Sequence, residues 1–255
     1  MTATTLINSS DPHPVRSVGN FLSESPFVFV GDHAGTAIPA RLGDLGLSAH
    51  DRGRHIAVDL GVETLGRRLA ERFSAPFVWQ AYSRLVVDCN RHPGTEGWVA
   101  PVSDGSAIPG NMDLDESALE LRRREVFDPY HEAIADLLDK RAAARLKTIF
   151  VSLHSFTPVM NGMERPWEIG ILHDGARNAF SLALLDLLKD GPWVVGDNEP
   201  YVMDDTDFTV PHHAFIRELP YAEIEVRQDV LAAQSENVTD TLAQVFRLAA
   251  ARVVS

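Results

Sequence analysis

Two histidines follow segments that have the composition of buried β-strands. In the stretch IFVSLHSFTPVM, residues 149–153 are apolar or small, as in a strand buried on both faces, and His154 and Ser155 come next. In the same way, the apolar stretch PFVFV leads into GDHAG, which contains His33. Open α/β sheets bind their ligands at the carboxyl ends of strands, so these histidines are candidates for a functional site. A core histidine hydrogen-bonded to backbone is the alternative for His154.

A third strand, predicted from YAEIEVRQD near the end of the chain, carries charged residues. Side chains alternate between the two faces of a strand, which puts Glu223, Glu225 and Arg227 on one face and apolar residues on the other. Such a charged face is typical either of a solvated sheet edge or of a ligand site. The second interpretation is favoured when Glu225 is considered beside His33 and His154, because the three come from strand ends far apart in sequence.

The residue types at these strand ends meet the requirements of a zinc hydrolase. Two histidines and one carboxylate are the smallest protein ligand set of a catalytic zinc, and they leave one coordination position open for water. A glutamate that does not bind the metal can deprotonate this water and then protonate the departing amine. Arginines nearby would bind the carboxylate of a small acidic substrate in bidentate fashion.

The rest of the sequence predicts the elements that position these residues. Apolar residues recur at helical spacing over residues 58–73, 116–146, 180–190 and 238–250, and short strands lie between these helices. Alternating strands and helices form βαβ units, so we expect a three-layer α/β/α fold around a mostly parallel mixed sheet. The stretch RLVVD, at residues 84–88, is predicted to be one of the strands.

The chain is predicted to form one domain. Its 255 residues, 45% of them hydrophobic, suffice for a single α/β unit, and no stretch has the composition of a linker. We expect residues 26–255 to form this domain. Residues 1–25 are polar and contain Pro12 and Pro14, so we expect them to form a flexible arm.

Charge and cysteine content argue against several classes of function. The net charge is −13, and no basic stripe is present that could hold nucleic acid or an anionic membrane. The single cysteine, Cys89, excludes an intrachain disulfide and a cysteine metal cluster, and it favours a reducing compartment. No secretory signal is visible and no apolar run reaches the ~18–20 residues of a membrane span, so we expect a cytoplasmic protein with a small-molecule partner.

Several motifs occur in an order that resembles known metal-dependent hydrolases. IFVSLHS followed far downstream by EIEVR is similar to zinc carboxypeptidases, and DCNR resembles the Asn-Arg pair of the aspartoacylase and succinylglutamate desuccinylase relatives. The whole set most resembles the N-formylglutamate amidohydrolase family: DHAGTAIP, VDLG, YSRLVVDCNR, SDGSAIPGN, SLHSFTPVMNG, GDNEPY and EIEVRQD. The resemblance covers roughly residues 27–230, and it implies a zinc-dependent exopeptidase-like (phosphorylase/hydrolase-like) fold.

The resemblance also implies roles for individual residues. His33 and His154 become metal ligands for one Zn²⁺ per chain, and Glu225 becomes the general base and acid. Asn90 and Arg91 become contacts of the substrate carboxylate.

Other candidates for substrate binding carry alternatives. Arg84 is a candidate because it precedes the same DCNR motif, although a surface arginine paired with an acid is an equal alternative. Arg227 is a candidate from its place on the charged face. In VPHHAF, His213 is a candidate for stabilising an oxyanion and His212 is expected in a loop. GDNEPY could line the pocket or form a turn.

The carboxylate ligand of the metal is not given by the resemblance. Zinc exopeptidases take it from His-x-x-Glu, but Thr36 stands at the glutamate position after His33. We choose Asp59, which is predicted to open the helix after the first strand, where cell-wall amidases of similar architecture place their ligand glutamate. Asp59 could instead only offset the helix dipole. Asp32 is the second choice, although adjacency to His33 makes joint coordination awkward.

Two further polar residues are expected behind the metal ligands. Asp88 is predicted to orient a ligand histidine, and Ser155 is predicted to support the site from beside His154. Together these expectations describe a metal-dependent amidohydrolase that cleaves an N-acyl amino acid, best matched by N-formyl-L-glutamate giving formate and L-glutamate. The alternatives are a zinc hydrolase of another N-acyl amino acid or short peptide, and a non-catalytic small-acid-binding protein on the same fold.

Overall fold

The centre of the computed structural model, which describes residues 5–253, is a seven-stranded sheet. In their side-by-side order the strands are β1 (Val15–Val18), β3 (Phe77–Gln80), β2 (Phe27–Gly31), β6 (Ile149–Phe156), β11 (Tyr221–Arg227), β9 (Ile169–Leu172) and β10 (Val195–Asp197). The β1/β3 and β11/β9 pairs are antiparallel and the other neighbouring pairs are parallel. The sheet is therefore mixed and mostly parallel, as expected from sequence.

Helices and two small hairpins surround the sheet. The helices are α1 (Ala49–Arg52), α2 (Val62–Phe73), α3 (Glu116–Arg122), α4 (Asp128–Ala143), α5 (Ala179–Leu188) and α6 (Gln228–Val253), and a π-helical turn joins α3 to α4. The hairpins are β4 (Val102–Ser103) with β5 (Ser106–Ala107), and β7 (Val159–Met160) with β8 (Met163–Glu164). No helix within residues 5–253 is long and apolar enough to cross a membrane.

Alternation along β2 shows how the sheet is covered on both faces. Phe27 and Phe29 point into a core shared with α2, α5 and α6, where both rings stack on Phe246 at centroid distances of 5.8 and 6.1 Å. Val28 and Val30 point into the second core, which α4 covers. Each fully buried side chain of this kind contributes about 1.5–3 kcal/mol. The three-layer α/β/α prediction is confirmed.

The centre of the sheet brings two of the candidate strands together. All residues of β6 are buried, which fits its apolar sequence, and His154 lies near its carboxyl end. β11 runs parallel to β6, with Glu225 opposite His154 and Glu223 opposite Ser152. The charged face of β11 is thus buried in the middle of the sheet, so the interpretation as a solvated edge was wrong.

Some predicted elements differ from the structure. Residues 15–18, expected in a flexible arm, form β1, because backbone pairing with β3 compensates for a short sequence with exposed Arg16 and Ser17. Residues 1–4 lie outside the described part of the chain. Residues 84–86 form a turn and residues 87–88 are irregular, where a strand was predicted, and the Asp88 amide donates to the carbonyl of Trp98.

Helix boundaries also differ. The helix predicted from residue 58 begins at Val62, because Gly61 adopts a left-handed φ of 88° at the cap. Asp59 therefore lies in the loop before the helix, although its carbonyl accepts from the Val62 amide at 3.2 Å. The last helix begins ten residues earlier than predicted, with a kink at Gln234 where φ is −137°.

Candidate active site

Three side chains predicted to bind metal meet in one place. His33 follows β2, Asp59 precedes α2, and His154 lies on β6; all three are buried. Asp59 Oδ2 lies 2.9 Å from His154 Nδ1 and 3.4 Å from His33 Nδ1. One potential ligand atom from each residue lies within 4.8 Å of the other two. This His–Asp–His group consists of donors that suit a catalytic zinc.

A second carboxylate holds each histidine from behind. Asp88 Oδ1 lies 2.7 Å from His33 Nε2, and Asp32 Oδ2 lies 3.2 Å from His154 Nε2. The Nδ1 atoms of both rings consequently face Asp59. Outer carboxylates of this kind fix the orientation and tautomer of metal-binding histidines. Asp32, the second choice as a ligand, thus lies behind His154, on the side away from Asp59.

One nitrogen of the His–Asp–His group lacks a hydrogen-bond partner, as a metal ligand would. His33 Nδ1 is buried and makes no hydrogen bond with any residue of the described chain. An unsatisfied buried nitrogen costs about 1–3 kcal/mol unless something else binds it. An imidazole nitrogen aimed at a carboxylate shared with a second imidazole is the arrangement that a divalent ion would satisfy.

Charge in the group strongly separates the pKa values. Burial raises the pKa of Asp59, but His33 and His154 outweigh burial and hold it well below its usual range. Burial also raises the pKa of Asp32, but His154 outweighs burial and lowers this pKa to about 2. The histidine pKa values move the other way: Asp88 and Asp59 raise that of His33, and Asp32 and Asp59 raise that of His154, both against burial. The carboxylates are therefore ionised at neutral pH.

The backbone and a hydroxyl hold Asp59 in place. Its amide donates to the His33 carbonyl at 2.9 Å, and the Ser155 amide donates to Asp59 Oδ2 at 3.3 Å. The Ser155 hydroxyl donates to the carbonyl of Leu60 at 2.9 Å. Ser155 thus bonds both to Asp59 and to the residue that follows it.

Two glutamates of β11 face the same centre. Glu225 lies opposite His154, and its Oε2 is buried without a hydrogen-bond partner among residues 5–253. Burial raises the pKa of Glu225 to about 7, with Asp59 adding to the effect and His154 opposing it. Glu223 Oε1 lies 3.7 Å from His154 Nε2, and burial raises its pKa well above the usual range. A carboxyl group with a pKa near 7 can both accept and donate a proton at neutral pH.

Arg84 contacts the His–Asp–His group and its outer carboxylate instead of lying free on the surface. Its Nε donates to Asp88 Oδ2 at 3.0 Å, and its Nη1 lies 3.6 Å from Asp59 Oδ1. Asp88 therefore joins Arg84 to His33, and the resulting ion pairs hold the pKa of Asp88 well below its usual range in spite of burial.

The His–Asp–His group lines a cavity with a volume of about 330 Å³. Asn90 and Arg91 lie in the wall of this cavity. The Asn90 side-chain carbonyl accepts from the backbone amides of Phe208 and Thr209 at 3.1 and 2.9 Å. Its amide donates to Glu223 at 3.5 Å. Arg91 donates to the hydroxyl of Thr206, and both residues line the cavity.

Two residues predicted to bind substrate lie elsewhere. His213 is fully buried, and its Nε2 lies 3.0 Å from His131 Nδ1, outside the cavity lining. Its expected oxyanion role was wrong, because the π-helical turn Pro211–Phe215 directs the ring into the second core. Arg227 points to the end of β11, where its Nε donates to Asp229 at 2.8 Å. It does not line the cavity, because this ion pair and nearby backbone carbonyls bind its guanidinium.

The cavity is also lined by residues to which the sequence analysis assigned no role. Glu223 was placed on the correct face by alternation but received no role. Tyr201 lines the cavity, and its only signal in the sequence was the motif GDNEPY. His55 and Thr157 line the cavity as well, and no spacing in the sequence distinguishes them.

Comparisons with known proteins agree with this architecture. The chain matches the N-formylglutamate amidohydrolase family over residues 25–232. The gene product Atu2144 from Agrobacterium tumefaciens is 33% identical, with a TM-score of 0.93 over 98% of this chain and 100% of that one. The N-formylglutamate amidohydrolase from Ralstonia eutropha JMP134 is 17% identical, with a TM-score of 0.65 over 93% of this chain and 97% of that one, which shows a shared fold. No match was found among curated proteins.

Proposed function

We propose a function that starts from one premise: the chain belongs to the N-formylglutamate amidohydrolase family. Membership of this family supports hydrolysis of amide bonds as the activity. We assign to the chain the metal-dependent cleavage of N-acyl amino acids, with N-formyl-L-glutamate as substrate and formate and L-glutamate as products. The resident metal in this proposal is zinc, with about one ion per chain.

The observation that carries the proposal is the His–Asp–His group with Glu225 beside it. His33, Asp59 and His154 offer two nitrogens and one oxygen, and Asp88 and Asp32 orient the rings from outside. When bound there, zinc supplies a Lewis acid that polarises the acyl carbonyl and makes water more acidic. The group supports the proposal because three protein ligands leave one coordination position of a zinc open for water, and the cavity that they line offers space for a substrate.

Proton transfer is assigned to Glu225. Its carboxyl group takes a proton from the attacking water and delivers that proton to the amide nitrogen as the carbon–nitrogen bond breaks. Glu225 suits this transfer because it lies opposite His154 and its buried Oε2 has no hydrogen-bond partner among residues 5–253, which leaves the carboxyl group free to exchange a proton.

The substrate carboxylates are assigned to the arginine side of the cavity. Asn90 and Arg91 line the cavity and can donate hydrogen bonds to a carboxylate. Arg84 also lines it, but its bonds to Asp88 make support of the metal ligands its first role. In this proposal the partner of the acidic chain is a small molecule. The single cysteine, Cys89, is buried and unpaired, which favours the reducing cytoplasm as the compartment.

A substrate panel tests the proposal. Zinc-loaded protein is incubated with N-formyl-L-glutamate, N-acetyl-L-glutamate, N-formyl-L-leucine and a glutamyl dipeptide, and the released amino acid is quantified. We expect turnover that is fastest with N-formyl-L-glutamate. Faster turnover of another member would change the substrate and keep the reaction class. Calorimetric binding without any turnover would contradict the hydrolase and favour a small-acid-binding protein.

A further inference from the structure

The motif GDNEPY reaches the cavity because two neighbouring strands carry glycine at the same level. Gly170 of β9 pairs with Gly196 of β10. A Cβ atom at Gly170 would lie 2.1 Å from the Glu199 carbonyl oxygen, and one at Gly196 would lie 2.7 Å from the same atom. The backbone of the loop therefore lies directly on the sheet, where only glycine leaves room for it. This close approach places Tyr201, two residues farther on, in the cavity wall.

Tyr201 carries an arginine behind it. Arg165 Nη1 donates to the Tyr201 hydroxyl at 3.0 Å, and its guanidinium lies 4.8 Å from the centroid of the Tyr201 ring. The same guanidinium lies 5.9 Å from the Phe156 ring centroid and 2.8 Å from Met160 Sδ. Tyr201, Phe156 and Met160 all line the cavity, so Arg165 lies immediately behind its wall.

Arg227 binds the backbone of the segment that contains Arg165. Its Nη1 donates to the carbonyls of Arg165, Pro166 and Trp167 at 3.2, 3.2 and 3.3 Å. Three carbonyls on one guanidinium limit the movement of the segment that precedes β9. The arginine of the Glu-x-Arg motif thus contributes to the cavity through Arg165 instead of touching a ligand itself.

Arg165 differs from Arg84 and Arg91, the arginines that line the cavity, in its partners. Arg84 is paired with Asp88, and Arg91 Nη1 lies 3.9 Å from Asp207. Arg165 makes no ion pair with any acidic side chain of residues 5–253; its partners there are a hydroxyl, a thioether and two aromatic faces. No carboxylate neutralises its positive charge, so the charge acts through Tyr201 on an anion that enters the cavity.

We infer that Tyr201 and Arg165 together bind a carboxylate of the substrate. The Tyr201 hydroxyl accepts from Arg165, and its own proton is directed at Met160 Sδ, a weak acceptor, over 3.9 Å. A carboxylate oxygen is a much stronger acceptor for this proton, and the arginine charge strengthens that bond. This clamp, Tyr201 with Arg165, transfers no catalytic proton; its task is to recognise one end of the acid. The inference rests on the proposed function, because it takes the ligand to be an N-acyl amino acid.

Substrate analogues that lack one carboxylate test the clamp. Arg165→Gln and Tyr201→Phe are compared with the wild type on N-formyl-L-glutamate and on its two monoamides, N-formyl-L-glutamine and N-formyl-L-isoglutamine. The dissociation constant is measured by calorimetry, and kcat and KM by release of formate. Arg177→Gln is the matched control, because its guanidinium also lies over an aromatic ring, that of Phe215 at 5.3 Å, but outside the cavity lining.

The clamp predicts a loss that depends on one carboxylate. Arg165→Gln should weaken binding of N-formyl-L-glutamate and raise its KM by about 10- to 100-fold, and Tyr201→Phe by about tenfold, with kcat changed much less. For the one monoamide that lacks the bound carboxylate, both variants should equal the wild type. The control variant should bind all three ligands normally.

Other results would overturn the clamp and separate it from the proposed function. Equal losses on all three ligands, or no loss on any, would contradict carboxylate binding while leaving the hydrolase in place. If the wild type hydrolyses none of them, the proposed activity is wrong, and the calorimetric pattern alone decides the clamp. A wild type that binds none of the three would overturn the clamp as well.

Discussion

Replacing Glu225 with glutamine tests the proposed proton transfer with little disturbance of the fold. The Oε2 atom of Glu225 is buried and bonds to no residue of the described chain, so an amide of the same shape breaks no hydrogen bond there. We expect the free energy of unfolding to change by less than about 1 kcal/mol. Glutamine can neither take nor give the proton, and general acid–base catalysis contributes about 10²–10⁴-fold, so kcat should fall by that factor.

The assay combines turnover with metal content. Formate release from N-formyl-L-glutamate gives kcat, and elemental analysis gives the zinc content of the same sample. Zinc should stay at the wild-type level, because Glu225 is not part of the His–Asp–His group. Glu63→Gln, at a half-exposed glutamate of α2, is the control and should keep full activity. Turnover of Glu225→Gln within threefold of the wild type (roughly 0.65 kcal/mol) would refute the assignment, and joint loss of zinc would make this residue a ligand.

Three further substitutions test the surroundings of the site and the core. Asp88→Asn should weaken zinc binding by about 10- to 100-fold in a chelator competition, because Asp88 holds the His33 ring; an unchanged affinity would contradict this. His131 has its pKa lowered from 6.5 to about 4, chiefly by burial, so only the unfolded chain gains its proton between these pH values. The stability advantage of the wild type over His131→Asn, measured in urea, should therefore shrink by roughly 3 kcal/mol from pH 7 to pH 4, and a constant difference would refute the reasoning. Phe246→Ala, which removes the ring that Phe27 stacks on, should cost about 3–5 kcal/mol of unfolding free energy, and a cost below 1 kcal/mol would show that this core collapses around the gap.

The parts of the fold that sequence predicted well are those with a local signal. β6 and β11 were predicted because an apolar run and a strict alternation are properties of the strand itself. His33 and His154 could be proposed together because the carboxyl ends of parallel strands meet at one edge of a sheet, whereas Asp59 was chosen by resemblance to the ligand position of cell-wall amidases.

The parts that were missed depend on contacts distant in sequence. Residues 84–88 are apolar enough for a strand, but Arg84 and Asp88 are used to hold the site, and the chain turns to bring them there. Residues 15–18 join the sheet through backbone hydrogen bonds, and their side chains give no pattern from which a strand could be predicted. Arg227 and Glu225 share a face, yet three backbone carbonyls from another segment bind Arg227, and that segment is more than fifty residues away.

Metal content tests the central claim most directly. Elemental analysis is made on the wild type and on His154→Ala after incubation with zinc and removal of the excess. The geometry of the His–Asp–His group predicts about one zinc per wild-type chain and its loss from the variant. A wild type that stays free of zinc after incubation would contradict the metal-dependent hydrolase, and His154 would then be a buried histidine held by Asp32, Asp59 and the Ser152 hydroxyl.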